Sequence, residues 1–215
     1  MIFDLDDTLI NSKLDFIIIK KNLINEYKTL GLEVSNMSIN DSIQSLIDKV
    51  RVYEKNQNKN SDMLNWETLT KKILDKYEMK SVHKSTLKSD TDDILNNLLK
   101  LNIKIGLVTN SGIAATRIAL NMHNINKYFS QVITRDDIKR IKPDSEGLLN
   151  MLRCLQIEAK EAFYVGDSVY DIIAGNNIGI NTIKLENKRN IITKTTIGTP
   201  NYEIKTLSEI INLLF

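Results

Sequence analysis

The chain has 215 residues, of which 42% are hydrophobic and 26% are charged, and its formal net charge is +2. These values are those of an ordinary globular protein that is long enough to bury a full hydrophobic core. Lys and Arg are spread along the chain without a basic stripe that alternates with aromatic residues, which argues against a nucleic-acid partner. The longest apolar runs are far shorter than the ~20 residues that cross a bilayer, so we expect no membrane partner.

The cysteine usage bears on the cellular compartment. Cys154 is the single cysteine of the sequence, so the chain forms no internal disulfide, and no signal peptide precedes the first apolar run. We therefore expect a soluble protein of the reducing cytoplasm. The sequence leaves the oligomeric state open.

The first predicted strand, 1–3, runs directly into three carboxylates, those of Asp4, Asp6 and Asp7. Side chains alternate along an extended backbone, so Asp4 and Asp6 project to the same side. Two like charges at that distance are screened by solvent, neutralised by a cation, or relieved when a raised pKa keeps one of them protonated. The stretch therefore predicts a metal-assisted acid and base site or, equally, an ordinary acidic turn.

Three helices are predicted after this stretch. The first covers about 13–30, with Ser12 at its N-cap and Gly31 as its stop signal. A polar connection at 54–61 separates the second helix from the third, which begins at Asp62. Both have apolar side chains at helical spacing, namely Ile43, Leu46, Ile47 and Val50 in the second and Trp66, Leu69, Ile73 and Tyr77 in the third. We expect the aromatic Trp side chain to pack in a small helical core rather than to line a pocket.

Helices and strands alternate in the rest of the chain. Helices are predicted at 91–101, 113–123, 145–155, 169–176 and 207–214, and strands at 104–108, 131–134, 162–165 and 181–185. This alternation predicts an α/β fold in which a doubly wound, mostly parallel sheet is covered by helices on both faces. Since the first strand belongs to that sheet, we predict a discontinuous core of residues 1–12 and 89–215. Residues 13–88, the cap segment, form a separate all-α domain.

Polar side chains follow four of the predicted strands. They are Asp4 after the first, Thr109-Asn110-Ser111-Gly112 after 104–108, the loop to Lys142-Pro143 after 131–134, and Gly166-Asp167-Ser168 after 162–165. Ligands of open α/β sheets bind beyond the carboxyl ends of the strands, so we expect these groups to meet at one edge. Such convergence favours a site over an acidic turn.

The motifs in this order resemble the haloacid dehalogenase-like (HAD) superfamily, in particular its phosphoglycolate phosphatase-like branch with a helical cap inserted after the first strand. The resemblance covers nearly the whole chain and rests on Asp-x-Asp-x-Thr at 4–8, Thr109-Asn110, Lys142 before Pro143, and Gly-Asp-x-x-x-Asp at 166–171. Residues 201–204 resemble the short final strand of these proteins. The resemblance implies a Rossmann-like core and a cap that closes over the site.

The resemblance also implies the catalytic roles. Asp4 is expected to attack phosphorus and form an aspartyl phosphate, for which a carboxylate needs no base. Asp6 is expected to protonate the leaving alkoxide and then to activate water. Thr109 and the backbone N–H of Asn110 are expected to hold the phosphoryl oxygens, while Lys142 adds positive charge. The alternatives for these last three residues are a tight turn and a surface lysine.

The implied cofactor is Mg²⁺. Asp4, the backbone carbonyl of Asp6, and Asp167 are expected to bind it together with water and a phosphate oxygen. Asp171 follows Asp167 by one helical turn and is expected to hold a metal-bound water or to orient Lys142.

Two features depart from the family pattern. Only three residues precede Asp4, which makes the first strand short, and Asp7 and Asn11 stand where relatives often have glycine and aspartate. Neither change removes a catalytic group. The dehalogenases of this superfamily lack an aspartate two positions after the nucleophile, so Asp6 at that position points to phosphoryl transfer.

The leading hypothesis is a Mg²⁺-dependent phosphohydrolase of a small phosphorylated metabolite. Relatives with this cap use phosphoglycolate, sugar phosphates, nucleotides or pyrophosphate, and the sequence does not choose among them. A phosphomutase of the same family is the closest alternative, although Thr8 is more typical of the phosphatases. A signalling receiver domain and a non-catalytic phosphate-binding protein are alternatives from other classes. The receiver is disfavoured because its phosphorylated aspartate comes later in the chain and it has no helical insert.

Overall fold

The computed structural model describes residues 1–56, 66–187 and 198–214. Its strands are β1 (Ile2–Phe3), β2 (Ile10–Asn11), β3 (Thr86–Leu87), β4 (Gly106–Val108), β5 (Gln131–Ile133), β6 (Phe163–Gly166), β7 (Asn181–Leu185) and β8 (Tyr202–Ile204). Its α-helices are α1 (Phe16–Thr29), α2 (Ile43–Asn56), α3 (Trp66–Val82), α4 (Thr91–Lys100), α5 (Ile113–Met122), α6 (Glu146–Leu155), α7 (Val169–Asn176) and α8 (Ile210–Leu214).

Six strands form one parallel sheet in the order β5-β4-β1-β6-β7-β8. β1 is only two residues long, yet it lies inside the sheet and pairs with both β4 and β6. The carboxyl ends of β1, β4, β5 and β6 therefore lie at the same edge of the sheet. The predicted fold class, a doubly wound parallel sheet, is confirmed.

Helices cover both faces of this sheet because its strand residues alternate between two hydrophobic clusters. Phe3 and Val165 belong to one cluster, whereas their neighbours Ile2 and Tyr164 belong to the other. The first cluster is completed by buried side chains of α4, α5 and α8, and the second by those of α6 and α7. This period-2 alternation is that of a sheet buried on both sides.

The observed helices and strands correspond to the predicted ones, with small differences at their ends. α7 and β7 have the predicted bounds. The predicted cap of the first helix is wrong, because Asp15 and not Ser12 accepts hydrogen bonds from the first turn, at 3.1 Å each. The backbone N–H of Ser12 instead donates to Asp7 Oδ1, which keeps the chain extended there. Gly31 has a φ of 77°, as its predicted role as a helix stop requires.

The cap segment contains a hydrophobic cluster of its own, formed by α1, α2 and α3. Tyr27 and Trp66 meet edge to face in it, with ring centroids 6.5 Å apart. The predicted start of the third helix at Asp62 lies outside the described residues, as does most of the polar connection before it. The division of the chain into two domains stays a prediction.

The structure contains a two-stranded ribbon that the sequence did not predict. β2 and β3 pair as an antiparallel ribbon, in which Ile10 lies opposite Leu87 and Asn11 opposite Thr86. The ribbon lies where the chain leaves the sheet for the cap segment and where it returns. Across the described ranges, no helix is long and apolar enough to cross a membrane.

Candidate active site

Asp4 lies directly after β1, where its backbone N–H donates to the carbonyl of Val165 at 2.9 Å. Its side chain is buried, and its Oδ1 is 2.5 Å from the Nζ of Lys142. The same ammonium lies 2.6 Å from Asp171 Oδ1. The end of β1, the first turn of α7 and the loop after β5 thus place two carboxylates on one buried lysine.

Asp167 completes a cluster of three buried carboxylates. Each member of the cluster, Asp4, Asp167 and Asp171, offers one carboxylate oxygen, and these three oxygens lie within 4.8 Å of one another. Burial raises the pKa of Asp4 well above its usual range, and burial together with the charge of Asp171 raises the pKa of Asp167 to about 7. Burial also opposes ionisation of Asp171, but the charge of Lys142 and the hydrogen bonds from Lys142, Ser168 and Tyr164 together outweigh it and lower the pKa of Asp171.

This cluster fits a divalent cation. Three carboxylates lie around the ammonium of Lys142, and burial raises the pKa values of both Asp4 and Asp167, so a bound cation would favour their ionised forms. Hard carboxylate oxygens are the ligands that Mg²⁺ takes in proteins. The predicted ligands Asp4 and Asp167 are therefore brought together, while the assignment of the Asp6 carbonyl as a ligand stays a prediction.

Asp6 lies beside this cluster and accepts a 2.6 Å hydrogen bond from the hydroxyl of Ser111. Burial, reinforced by the negative charges of Glu78 and Asp7, raises the pKa of Asp6 to about 6, although the Ser111 bond acts in the opposite direction. A carboxyl group with that pKa exchanges a proton readily near neutral pH.

The predicted phosphate-binding residues follow β4. Thr109 is buried, and its hydroxyl accepts a hydrogen bond from the backbone N–H of Ser111 at 3.1 Å. The carboxamide of Asn110 pairs with the backbone of Lys142, accepting from its N–H at 3.0 Å and donating to its carbonyl at 3.2 Å. Asn110 thus holds the lysine loop in place, a contact that the sequence did not predict.

The loop after Asp4 explains one departure from the family pattern. Asp7 has a φ of 58°, in the left-handed region that glycine adopts without strain. Aspartate tolerates that region better than most residues, and the Asp7 carboxylate also accepts from the backbone of Ser12 at 3.0 Å. Thr8 is fully buried, and its hydroxyl lies 3.3 Å from Asp4 Oδ2 and 3.5 Å from Asp167 Oδ1.

Four further side chains contact the predicted site residues: Ser111 and Ser168 belong to the predicted strand-end groups but had no assigned role, and Tyr164 and Asn187 were not singled out from the sequence. Ser111 contacts Asp6, Tyr164 contacts Asp171 and Lys142, Ser168 contacts Asp171, and Asn187 donates to Asp167 Oδ2 at 2.9 Å. Ser111 and Ser168 directly follow predicted site residues, so strand-end position was an available signal. Tyr164 lies within a strand and Asn187 follows a strand with no recognised motif.

The structure explains why the Gly-Asp-x-x-x-Asp motif begins with a glycine, Gly166. A Cβ at this position would lie 2.4 Å from the Cβ and Cγ of Asp171, which is closer than real side-chain contacts permit. The absence of a side chain therefore lets the helix that carries Asp171 approach the end of β6.

Two groups of polar contacts join the cap segment to the edge of the sheet. Arg135 is buried between Glu78 and Asp75 of α3, and its guanidinium also donates to the carbonyl of Asn110 at 3.1 Å. Glu78 in turn accepts from the backbone N–H of Gly112 at 2.9 Å. The loop after β4 is thus held by a helix of the cap segment.

The second group joins α2 to the loop that carries Lys142. The carboxamide oxygen of Gln44 accepts from the backbone N–H of Ile141 at 2.8 Å, and both oxygens of Asp48 accept from the guanidinium of Arg140 at 2.9 and 3.0 Å. Gln44 is buried, whereas the Arg140 pair is exposed. The loop after β4 and the loop that carries Lys142 therefore both contact the cap segment.

The family profile of the haloacid dehalogenase-like hydrolases matches residues 1–185. The chain belongs to this family. A Clostridium perfringens protein with the provisional name pyrophosphatase PpaX is 31% identical over 216 residues, which cover 100% of this chain and 96% of that protein. Pyrophosphatase PpaX of Bacillus cereus is 26% identical over 199 residues, or 85% of this chain and 80% of the relative.

Solved structures of this HAD family share the fold. A hydrolase from Pseudomonas syringae superposes with a TM-score of 0.71 at 20% identity and covers 99% of this chain and 96% of its own. A predicted phosphoglycolate phosphatase from Haemophilus somnus superposes with a TM-score of 0.67 at 19% identity, covering 100% and 96%. The predicted resemblance to the HAD phosphatases is confirmed, and the chain is a phosphatase of this superfamily.

Proposed function

We propose that this HAD phosphatase is Mg²⁺-dependent and hydrolyses a small phosphorylated compound through an aspartyl phosphate on Asp4. The observation that carries the proposal is the buried cluster of Asp4, Asp167 and Asp171 on the single ammonium of Lys142. Pyrophosphate is the first substrate to test, because a relative that covers the whole chain is named a pyrophosphatase. Phosphoglycolate, sugar phosphates and nucleotides follow.

Asp4, Asp167 and the Asp6 carbonyl would hold Mg²⁺, which when bound supplies positive charge that offsets repulsion between the nucleophile and the phosphoryl oxygens. Lys142 adds a compact charge on the other side of Asp4. Thr8 restrains the second oxygen of Asp4. The carboxylate is thereby oriented before substrate arrives.

In the first step a carboxylate oxygen of Asp4 forms a bond to phosphorus while the bond from phosphorus to the leaving oxygen breaks. Protonated Asp6 gives its proton to that leaving oxygen. The hydrogen bond from Ser111 holds the Asp6 carboxyl in position for this transfer. The products are the aspartyl phosphate, the released group and ionised Asp6.

In the second step the ionised Asp6 takes a proton from a water molecule whose oxygen attacks phosphorus. The bond between phosphorus and the Asp4 oxygen breaks, so inorganic phosphate leaves and the Asp4 carboxylate is restored. Asp6 ends protonated, as it began. Its pKa of about 6 allows both halves of this exchange near neutral pH.

We propose that the cap segment, residues 13–88, reads the part of the substrate beyond the phosphoryl group. Its contacts with the loops of Asn110 and Lys142 support this role, because closure over the site would exclude water from the aspartyl phosphate. A cytoplasmic location is part of the same proposal, since Cys154 has no partner for an internal disulfide.

The test measures phosphate release from pyrophosphate and p-nitrophenyl phosphate with Mg²⁺ and with EDTA. We expect turnover only with Mg²⁺ and a loss of about 10³-fold or more in Asp4→Asn. Asp92→Asn is the matched control, because Asp92 accepts from Tyr128 on the surface of α4 and should leave the rate unchanged. An active Asp4→Asn enzyme would contradict the nucleophile assignment.

A labelled aspartyl phosphate that persists until an acceptor is added would indicate a phosphomutase.

A further inference from the structure

We propose that Tyr164 is a positioning residue that, together with Asp171, holds Lys142 against the reacting group in both steps. This inference rests on the proposed function, in which Asp4 changes its charge during the reaction. It assigns a role to a buried tyrosine that lies within β6 and does not itself reach the substrate.

The Tyr164 hydroxyl lies between a cation and an anion. It accepts from Lys142 Nζ at 2.8 Å and donates to Asp171 Oδ1 at 2.7 Å. Lys142 Nζ also donates directly to that same Asp171 oxygen at 2.6 Å. The three groups therefore form a closed triangle of hydrogen bonds, all of it buried.

Asp171 is itself held in place from its other oxygen. The hydroxyl and the backbone N–H of Ser168 donate to Asp171 Oδ2 at 2.5 and 3.1 Å. The acceptor that Tyr164 and Lys142 share is therefore anchored to the N-terminus of α7. A fixed acceptor gives the tyrosine hydroxyl one preferred orientation, in which its lone pairs face Lys142.

The triangle matters because the other partner of Lys142 is the nucleophile. Its ammonium has three N–H groups, and within 3 Å it faces Asp4, Asp171 and Tyr164. When the phosphoryl group is attached to Asp4, the carboxylate becomes an ester-like acyl phosphate and loses its own charge. The contacts with Asp171 and Tyr164 do not change, so they keep the ammonium beside the transferred group until water releases it.

A substitution can separate the contribution of the Tyr164 ring to packing from the contribution of its hydroxyl to positioning Lys142. The ring of Tyr164 fills the hydrophobic cluster with residues of α6 and α7, and a phenylalanine ring would fill the same space. Only the hydroxyl reaches Lys142 and Asp171. Tyr164→Phe therefore removes two hydrogen bonds to charged groups and leaves the core intact.

The experiment compares Tyr164→Phe with Tyr128→Phe in the p-nitrophenyl phosphate assay. Tyr128 is also buried, and its hydroxyl also donates to a carboxylate at 2.7 Å, but this acceptor is Asp92 Oδ1 of α4 and not a site residue. We expect Tyr164→Phe to lower kcat about tenfold, which is about 1.4 kcal/mol, with KM changed less than about twofold. Tyr128→Phe should keep its kcat.

A second comparison tests whether Tyr164 acts through the lysine. In a Lys142→Met background, Tyr164→Phe should lower the residual rate by less than about twofold, because the group that it positions is gone. Equal losses with and without Lys142, or an unchanged kcat in the single variant, would overturn the inference while the wild-type turnover still supports the proposed function. A wild-type enzyme without Mg²⁺-dependent turnover would reject the proposed function itself, and the inference with it.

Discussion

At the scale of single residues, Asp6 carries the clearest pH dependence of the site. Burial raises its pKa from 3.8 to about 6, so the folded protein binds this proton more tightly than the unfolded chain. Its contribution to stability is therefore fully present below pH ~4 and is lost as the pH rises through about 6. Above that pH the ionised, buried carboxylate destabilises the fold by about 3 kcal/mol at most.

We predict that Asp6→Asn raises the free energy of unfolding at pH 8 and abolishes catalysis. The neutral carboxamide avoids the cost of a buried charge and can still accept from Ser111. The measurement is thermal unfolding in EDTA at pH 8 and at pH 4, where the difference from wild type should vanish. A variant that is less stable than wild type at pH 8 would show that burial does not dominate the pKa of Asp6.

The site residues that the sequence revealed are those with a recognisable position. Asp4 and Asp167 follow apolar strands, and this placement made them candidates, while the resemblance to the HAD superfamily supplied their expected roles. Tyr164 could not be found in this way, because tyrosine is an ordinary strand residue and its function depends on contacts with Lys142 and Asp171, which only the fold brings together.

At the scale of secondary-structure elements, α3 is fixed to the loop after β4 by a largely buried ion pair. Arg135 and Glu78 are both largely buried, and Arg135 also holds the carbonyl of Asn110. Removing one partner of a buried pair leaves an uncompensated charge, which costs far more than losing an exposed pair.

We predict that Arg135→Met lowers the free energy of unfolding by roughly 3 kcal/mol and that adding Glu78→Gln recovers part of the loss. The control is Arg140→Met, which breaks the exposed contact of Arg140 with Asp48 and should cost less than about 1 kcal/mol. Urea unfolding curves measure all three variants. Similar losses for the two arginines would mean that burial of the Glu78 pair does not determine its strength.

Element boundaries were predicted where local signals agree with the fold. Ser168 begins α7 with a capping box that is visible in the sequence, and the predicted bounds of that helix are correct. Ser12 offered a similar cap signal, but the backbone of Ser12 is tied to Asp7 and the next residue, Lys13, to Ser81. Those tertiary contacts keep the chain extended, so the helix begins later, after Asp15.

At the scale of the whole molecule, the cluster of buried carboxylates is expected to link stability to metal binding. Burial and neighbouring carboxylates raise the pKa values of Asp4 and Asp167, which disfavours their ionised forms in the folded chain. A cation that binds only the folded chain stabilises it by mass action.

We predict that saturating Mg²⁺ raises the Tm at pH 7.5 by about 5 °C or more, whereas NaCl of equal ionic strength does not. Asp167→Asn should lose most of this shift and should melt above the metal-free wild type, because one buried charge is gone. Differential scanning calorimetry measures both effects. An unchanged Mg²⁺ shift in Asp167→Asn would remove this residue from the ligand set.

The overall topology followed from the alternation of helices and strands, and the sheet order placed the strand-end motifs at one edge. The contacts between the cap segment and that edge could not be predicted. Gln44 and Glu78 look like ordinary polar residues of helices, and their partners Ile141 and Arg135 lie far away in sequence. Only the packing of α2 and α3 on the loops shows that these side chains are buried.

The ribbon of β2 and β3 has a consequence for how such chains diversify. Its paired residues, such as Asn11 and Thr86, hold the two ends of the intervening segment side by side. The entropic cost of lengthening a closed loop grows only slowly with its length. A different helical module whose termini meet at this ribbon would therefore leave the pairing of the sheet strands unchanged, provided that it also supplies partners for Arg135 and for the backbone N–H of Ile141.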